Sequence, residues 1–180
     1  MIVVIMGLSG SGKSFLSSIL YQDLGFEWLR SDQIRKELAG LETEQKMKTG
    51  YGEGIYSEEW TVRVYREMIK RAEQKVREGK DVVLDAAFIE NWQRDLVKEA
   101  FPRALFLLAW AEEEEVLKRL KDRQDISDAD VEVYFKQKER FTPPDHAIKI
   151  NTARSRDELR VVLRDILLSH GWKGTVGIGL

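Results

Sequence analysis

The sequence predicts an α/β fold, a parallel sheet covered by helices on both faces. Three observations carry that prediction. Short apolar runs alternate with longer amphipathic stretches along the chain. Two of the runs, Ile2–Met6 and 104–110, are continuously apolar, as strands buried on both faces must be. Between the first run and the next amphipathic stretch lies Gly7-Leu8-Ser9-Gly10-Ser11-Gly12-Lys13-Ser14, a glycine-rich turn joining a strand to a helix.

The helix that follows this turn ends at Gly25, a residue suited to the left-handed C′ position. Residues 26–29 form a short strand ending at Ser31-Asp32, and 32–38 begin a helix with Ser31 or Asp32 as N-cap. Residues 40–56 are polar and carry Gly50, Gly52 and Gly54; a loop of this length in a compact domain is usually a lid or binding element. Ser57-Glu58-Glu59-Trp60 opens the longest helix, which runs to near Gly79 with Trp60, Val64, Tyr65, Met68, Ile69, Ala72 and Val76 on one face. A strand over 81–85, a helix over 91–101, the apolar strand over 104–110 and a helix over 112–123 come next. Ser127-Asp128-Ala129-Asp130 caps another helix that stops before Pro143-Pro144. A last strand spans 147–150, and a helix over 155–169 carries the stripe Leu159, Val162, Leu163, Ile166 and Leu167. No repeat or linker divides the chain, which predicts a single domain over 1–170 and an aperiodic tail over 171–180.

Composition narrows the possibilities. The chain has 180 residues, 43% hydrophobic and 33% charged, enough for one sizeable core beneath a charged surface. A formal net charge of -2 leaves no global basic footprint for nucleic acid. The absence of cysteine excludes disulfides and thiolate metal sites. His146 and His170 are not at ligand spacing and are read as structural or solvent-facing. No run approaches the ~20 apolar residues of a membrane span, and the N-terminal run is too short for a signal peptide, so a cytoplasmic location is expected.

The chemistry begins at the glycine-rich turn. Two glycines, a lysine and a hydroxyl residue at this spacing make a P-loop, whose N–H groups and following helix N-terminus cradle phosphates. Gly7, Ser9, Gly10, Ser11, Gly12, Lys13, Ser14 and Phe15 are therefore the expected nucleotide-binding set. Lys13 is expected on the β- and γ-phosphates, and Ser14 on Mg²⁺. ATP is the expected donor, with GTP left open. Ligands of open α/β sheets bind at the carboxyl ends of strands. Asp32, Arg35, Asp85 and the Asn151-Thr152 loop all fall there.

Asp32 and Arg35 lie one helical turn apart on one face. An aspartate can orient an attacking hydroxyl and take its proton, while an arginine holds an anionic part of the acceptor. Asp85 has the place of a Walker B acid for Mg²⁺. Arg119 and Arg123, four apart, are candidates to close over the transferring group, with Arg140 and Arg154 as weaker ones. Arg94 is expected near the acceptor. Trp28, Trp60, Trp92 and Trp110 are read as core residues rather than a base-stacking platform, and Glu112 to Glu115 as acids complementing a helix dipole.

Taken together these segments resemble the P-loop kinases related to 5′-hydroxyl polynucleotide kinases and zeta-toxin kinases. The matching stretches are 7–14, Ser31-Asp32-x-x-Arg35-Lys36-Glu37-Leu38, Val82-Val83-Leu84-Asp85-Ala86-Ala87-Phe88 with Arg94 downstream, Arg119-x-x-x-Arg123 and Ser127-Asp128-Ala129-Asp130. The run Lys36 to Gly40 and Ile55-Tyr56-Ser57 resemble in particular the kinase domain found fused behind an aminoglycoside-phosphotransferase-like domain. The resemblance implies a nucleoside-kinase-like, three-layer P-loop NTPase fold with a five-stranded parallel sheet, the P-loop strand in its middle, and a helical lid near 115–140. It implies Asp32 as general base, Arg35 as an acceptor ligand, Arg123 on the phosphates and Arg119 nearer the adenine. Polynucleotide kinases usually carry a hydroxyl or amide residue just after the Asp85 equivalent, where this chain has Ala86-Ala87. The expected function is transfer of the γ-phosphate of ATP to a hydroxyl, on a small or sugar-like molecule in the first place. A nucleic-acid 5′ end is the alternative acceptor, and a nucleotide switch without acceptor the second alternative.

Overall fold

The computed structural model describes residues 1–40, 54, 57–122 and 128–174, without the side chains of 128–130. The apolar runs become parallel strands: β1 (Ile2–Met6), β2 (Glu27–Arg30), β3 (Val82–Asp85), β4 (Leu105–Trp110) and β5 (Ile148–Asn151), in the order β2-β3-β1-β4-β5. Between and after them lie α1 (Lys13–Leu24), α2 (Ser31–Leu38), α3 (Glu58–Arg77), α4 (Asn91–Ala100), α5 (Glu113–Asp122), α6 (Asp128–Arg140) and α7 (Arg156–Ser169). The strand that feeds the P-loop is the middle one.

Period-two alternation along the strands builds the layers. Val3 and Ile5 of β1 face α1 and α7, meeting Leu16, Ile19 and Leu20 on one helix and Leu159, Leu163 and Leu167 on the other. Ile2, Val4 and Met6 face the opposite side, against Ile34 of α2, Val64 and Met68 of α3 and Val97 of α4. Each fully buried leucine contributes about 1.5–3 kcal/mol of transfer free energy, so both faces of the sheet stabilise the fold. A smaller cluster, Val116, Leu120 and Tyr134, joins α5 to α6 and packs against Leu8 of the P-loop.

Strand register brings the functional ends together. Ile5 pairs with Asp85, and Asp85 with Arg30, so the P-loop, the end of β3 and the start of α2 share one rim. The chain passes from β2 into α2 without a linker. Arg30 is the extended N-cap (φ -109, ψ 125) and makes no side-chain cap bond, which corrects the expected Ser31 or Asp32 cap. Asp32 instead sits in the first turn with its carboxylate exposed.

Trp172, expected in an aperiodic tail, belongs to the core. Its ring lies 5.8 Å from that of Phe26, and its Nε1 donates to Asp81 Oδ2 at 2.8 Å. The expected 40–56 loop, apart from Gly40 and Gly54, lies outside the described residues, as do Ser127 and 175–180. No helix among the described residues is long and apolar enough to cross a membrane.

Candidate active site

The P-loop is held from below as well as open above. Gly7 (φ 144) donates its N–H to the Ala87 carbonyl at 3.3 Å, and a Cβ there would meet the Ala109 carbonyl oxygen at 2.5 Å. Gly12 (φ 92) would bring a Cβ to within 2.7 Å of Thr152 Oγ1. Glycine at these places thus serves packing against β4 and β5 in addition to close approach of a phosphate. Gly12 is also the N-cap of α1, which has no side-chain cap and no acid in its first turn. By contrast, serine side chains cap α3 and α7. Helix N-terminal N–H groups left in this state suit an anion. Lys13 Nζ donates to the Leu8 carbonyl at 2.9 Å, arching back over the loop.

A cleft of about 810 Å³ opens here, lined by Gly10 to Phe15 in part, by Glu115 and Arg119 of α5, by the turn after β5 including Arg154, and by Glu158 in the first turn of α7. The Ser155 hydroxyl and N–H hold the Glu158 carboxyl below its usual value as part of the α7 capping box. Thr152, at a strand end in the sequence, ties this cleft together. Buried to 2% exposure, its Oγ1 donates towards the Ser11 carbonyl at 2.7 Å and accepts from Arg119 Nη1 at 2.8 Å. Arg119 Nη2 reaches the Thr152 carbonyl at 3.2 Å, and its Nε pairs with Glu115 at 2.8 Å.

Asp85 is 5% exposed at the end of β3, and Ser14 Oγ donates to its Oδ2 at 3.1 Å. Trp28 Nε1 donates to the same oxygen at 3.1 Å, with the Arg30 guanidinium over its ring. Trp28 is thus both a packing residue and the support of an acid, a role that its place in a short strand did not announce. Two hard oxygens, Ser14 Oγ and the Asp85 carboxylate, fit Mg²⁺, which keeps most of its ligands as water and phosphate. Among the described residues no cluster of three or more histidines and acids is present to cage a metal alone.

A second cleft of about 350 Å³ lies beside the P-loop and collects Asp32, Arg35, Thr61, Tyr65, Trp92, Gln93 and Gln137. Asp32 and Arg35 line it together, as one helix face requires. Asp32 Oδ2 lies 3.4 Å from Lys36 Nζ, and the buried Arg35 donates to Thr61 Oγ1 at 3.4 Å. Its wall is tied to the P-loop: Ser9 N–H donates to Gln137 Oε1 at 2.7 Å. Arg140 lies on this side as well, paired with Glu90 at 2.6 Å. Trp92, expected in the core, forms part of the wall, edge-on to Tyr65.

Arg94 departs from expectation. It is 3% exposed and spends its guanidinium on the carbonyls of Phe88 and Ile89, on Asn91 Oδ1 and on the Thr142 carbonyl. Burial holds its pKa below the ordinary arginine value, and it is not among the residues that line the second cleft. Its work is to fix the turn after β3, where Phe88 adopts φ 51, a left-handed conformation costly for a bulky side chain. Ser11 Oγ is buried and finds no hydrogen-bond partner among the described residues. Arg123 lies outside the described residues.

Comparison with known proteins fits this architecture. Solved structures of similar fold include a sugar kinase from Janibacter sp. HTCC2649, at 17% identity, 95% coverage of both chains and TM-score 0.68. The APS kinase of Mycobacterium tuberculosis in complex with AMPPNP and APS matches at 17% identity, over 93% of this chain and 96% of that one, with TM-score 0.66. A gluconokinase from Sinorhizobium meliloti 1021 matches at 18% identity, over 94% and 96%, with TM-score 0.57. At these identities the likeness establishes a P-loop kinase-like fold. No curated protein sequence matches the chain. The family model for an AAA domain matches residues 2–144, well over half of the sequence, and the chain belongs to that family.

Proposed function

We propose that this protein is a Mg²⁺- and ATP-dependent kinase that transfers the γ-phosphate to a hydroxyl of a small acceptor. The observation that carries the reading is a pair of clefts: a large one of about 810 Å³ lined by the P-loop, and a small one of about 350 Å³ that holds Asp32 and is tied to the P-loop through Gln137. A nucleotide switch needs the first and has no use for the second. The names of the sugar kinase and gluconokinase of similar fold agree with a compact acceptor.

In this reading the P-loop N–H groups and Lys13 hold the triphosphate, while Ser14 and Asp85 hold Mg²⁺. Bound there, the metal would neutralise charge on the phosphates. Asp32 orients the acceptor hydroxyl and takes its proton as the new O–P bond forms and the bond from the γ-phosphorus to the bridging oxygen breaks, releasing ADP. Arg35 holds an anionic part of the acceptor. Helices α5 and α6 act as a lid, with Arg119 on the nucleotide and Arg123 closing on the phosphates, which excludes water.

The test is transfer from γ-labelled ATP to a panel of small hydroxyl compounds and a 5′-hydroxyl oligonucleotide, with Asp32→Asn alongside. Label on a small compound, reduced roughly 10²–10⁴-fold in Asp32→Asn while nucleotide binding persists, is the expected result. Label on the oligonucleotide alone would give the acceptor role to nucleic acid. Phosphate released only to water, at the same rate in the variant, would make this a nucleotide hydrolase.

A further inference from the structure

We propose that Gln93 and Gln137 recognise the acceptor in the second cleft and select a small polyhydroxy acid. This rests on the phosphotransfer reading and narrows its acceptor. The two side chains come from different helices, α4 and α6, and share one arrangement. Gln93 is 6% exposed, and its Oε1 accepts the Glu90 backbone N–H at 3.0 Å. Gln137 Oε1 accepts the Ser9 backbone N–H at 2.7 Å. A backbone N–H can only donate, so each carboxamide oxygen is committed to it and each NH₂ end is turned away. Both side chains line the cleft, and neither Nε2 donates to a described residue. Gln93 thus keeps an oxygen committed to the α4 capping box and an NH₂ end that no described residue accepts from, a state that a ligand or water relieves.

The same wall carries Arg35, 8% exposed. Carboxamide NH₂ and guanidinium groups are satisfied by lone pairs alone, so they welcome carboxylate and hydroxyl oxygens and repel an ammonium. Of the acids nearby, Glu90 lies 2.6 Å from Arg140 although its Oε1 accepts no hydrogen bond from a described residue, and Asp32 lies 3.4 Å from Lys36. Glu58, at the start of α3, is the remaining acid of the lining. A volume of about 350 Å³ is at the low end for ligand pockets and suits a compact molecule. Gln137 adds position to recognition, since the atom that anchors it is an N–H of the P-loop itself.

Three compounds test this: gluconate, glucitol and glucamine share a polyol chain and differ only in a carboxylate, hydroxymethyl or ammonium end. Transfer from labelled ATP is measured for each, and binding of a fluorescent ATP analogue is followed separately. The expected kcat/KM order is gluconate, glucitol, glucamine. Gln93→Glu keeps an oxygen for the Glu90 N–H and replaces the open NH₂ by a carboxylate oxygen. Its KM for gluconate is expected to rise roughly tenfold to a hundredfold, more than kcat changes, with glucamine gaining relative to gluconate. Gln137→Glu repeats the polarity change should Gln93→Glu fail to fold, as circular dichroism would reveal. An unchanged preference in the variants, equal use of the three compounds, or transfer only to some other acceptor would overturn the inference and leave the kinase reading intact. Failure to bind the ATP analogue, or to label any hydroxyl compound, would remove that reading and this inference with it.

Discussion

Gly12 shows how much one side-chain position can constrain. At φ 92, with Thr152 within 2.7 Å of any added Cβ, Gly12→Ala combines backbone strain with overpacking. The expected loss is about 2–5 kcal/mol of stability together with weaker nucleotide binding, to be measured by urea denaturation and titration of an ATP analogue. The sequence made legible the place of this residue in the glycine-rich turn, and that of Asp32, Arg35 and Asp85 at strand ends. It left Thr152 and Trp28 obscure, because the partners that define them, Ser11 and Asp85, lie 141 and 57 residues away in the chain. It also assigned Arg94 to the acceptor, since an arginine opening a helix after a Walker B strand looks the same whether it faces a ligand or folds back on carbonyls. Local pattern gives the type of a residue and its side of the sheet, and long-range contact decides its job.

Elements were the most legible scale. Strands and helices fall within a residue or two of where periodicity puts them, because apolar runs and caps such as Ser57 and Ser155 are local signals. The missed cap of α2 is instructive: with no linker after β2, the extended Arg30 backbone itself starts the helix. The turn joining β3 to α4 rests on Arg94, which answers the Phe88 and Ile89 carbonyls, and on Tyr65, whose hydroxyl accepts the Phe88 N–H at 3.1 Å. Arg94→Leu removes those donors and leaves buried carbonyls unpaired. About 2–4 kcal/mol of destabilisation is expected in chemical denaturation, with the acceptor KM rising more than the ATP KM because Ala87 and Ile89 line the second cleft.

At the scale of the whole molecule, stability between pH 5.5 and 7.5 responds to His146, which lines neither cleft. The His146 ring stands edge-on to Phe106 at 5.0 Å, and burial first, then the charges of Lys98 and Arg94, hold its pKa below 6.5, with Asp145 pulling the other way. The unfolded chain therefore takes up this proton before the folded one does. The stability that neutral His146 contributes is complete above about pH 6.5 and is lost as pH falls through the lower folded value. The expected outcome is a lower Tm at pH 5.5 than at pH 7.5, a difference that shrinks in His146→Phe. Glu37 and Glu158, whose pKa values are also depressed, lose their contributions only below about pH 4.5, outside that window.

The contacts beneath the P-loop bear on how the chain comes off the ribosome. Gly7 leans on residues 87 and 109, and Gly12 on residue 152, so the loop acquires its shape only once residue 152 has been synthesised. Parallel pairing of β1 with β3 and β4 imposes the same delay, since such long-range contacts form late. The nascent N-terminal segment cannot be rescued early by ATP, because the nucleotide has no preformed loop to bind. Protection by ligand thus waits for residue 152, and until then the apolar run Ile2–Met6 lacks the neighbouring strands that cover it.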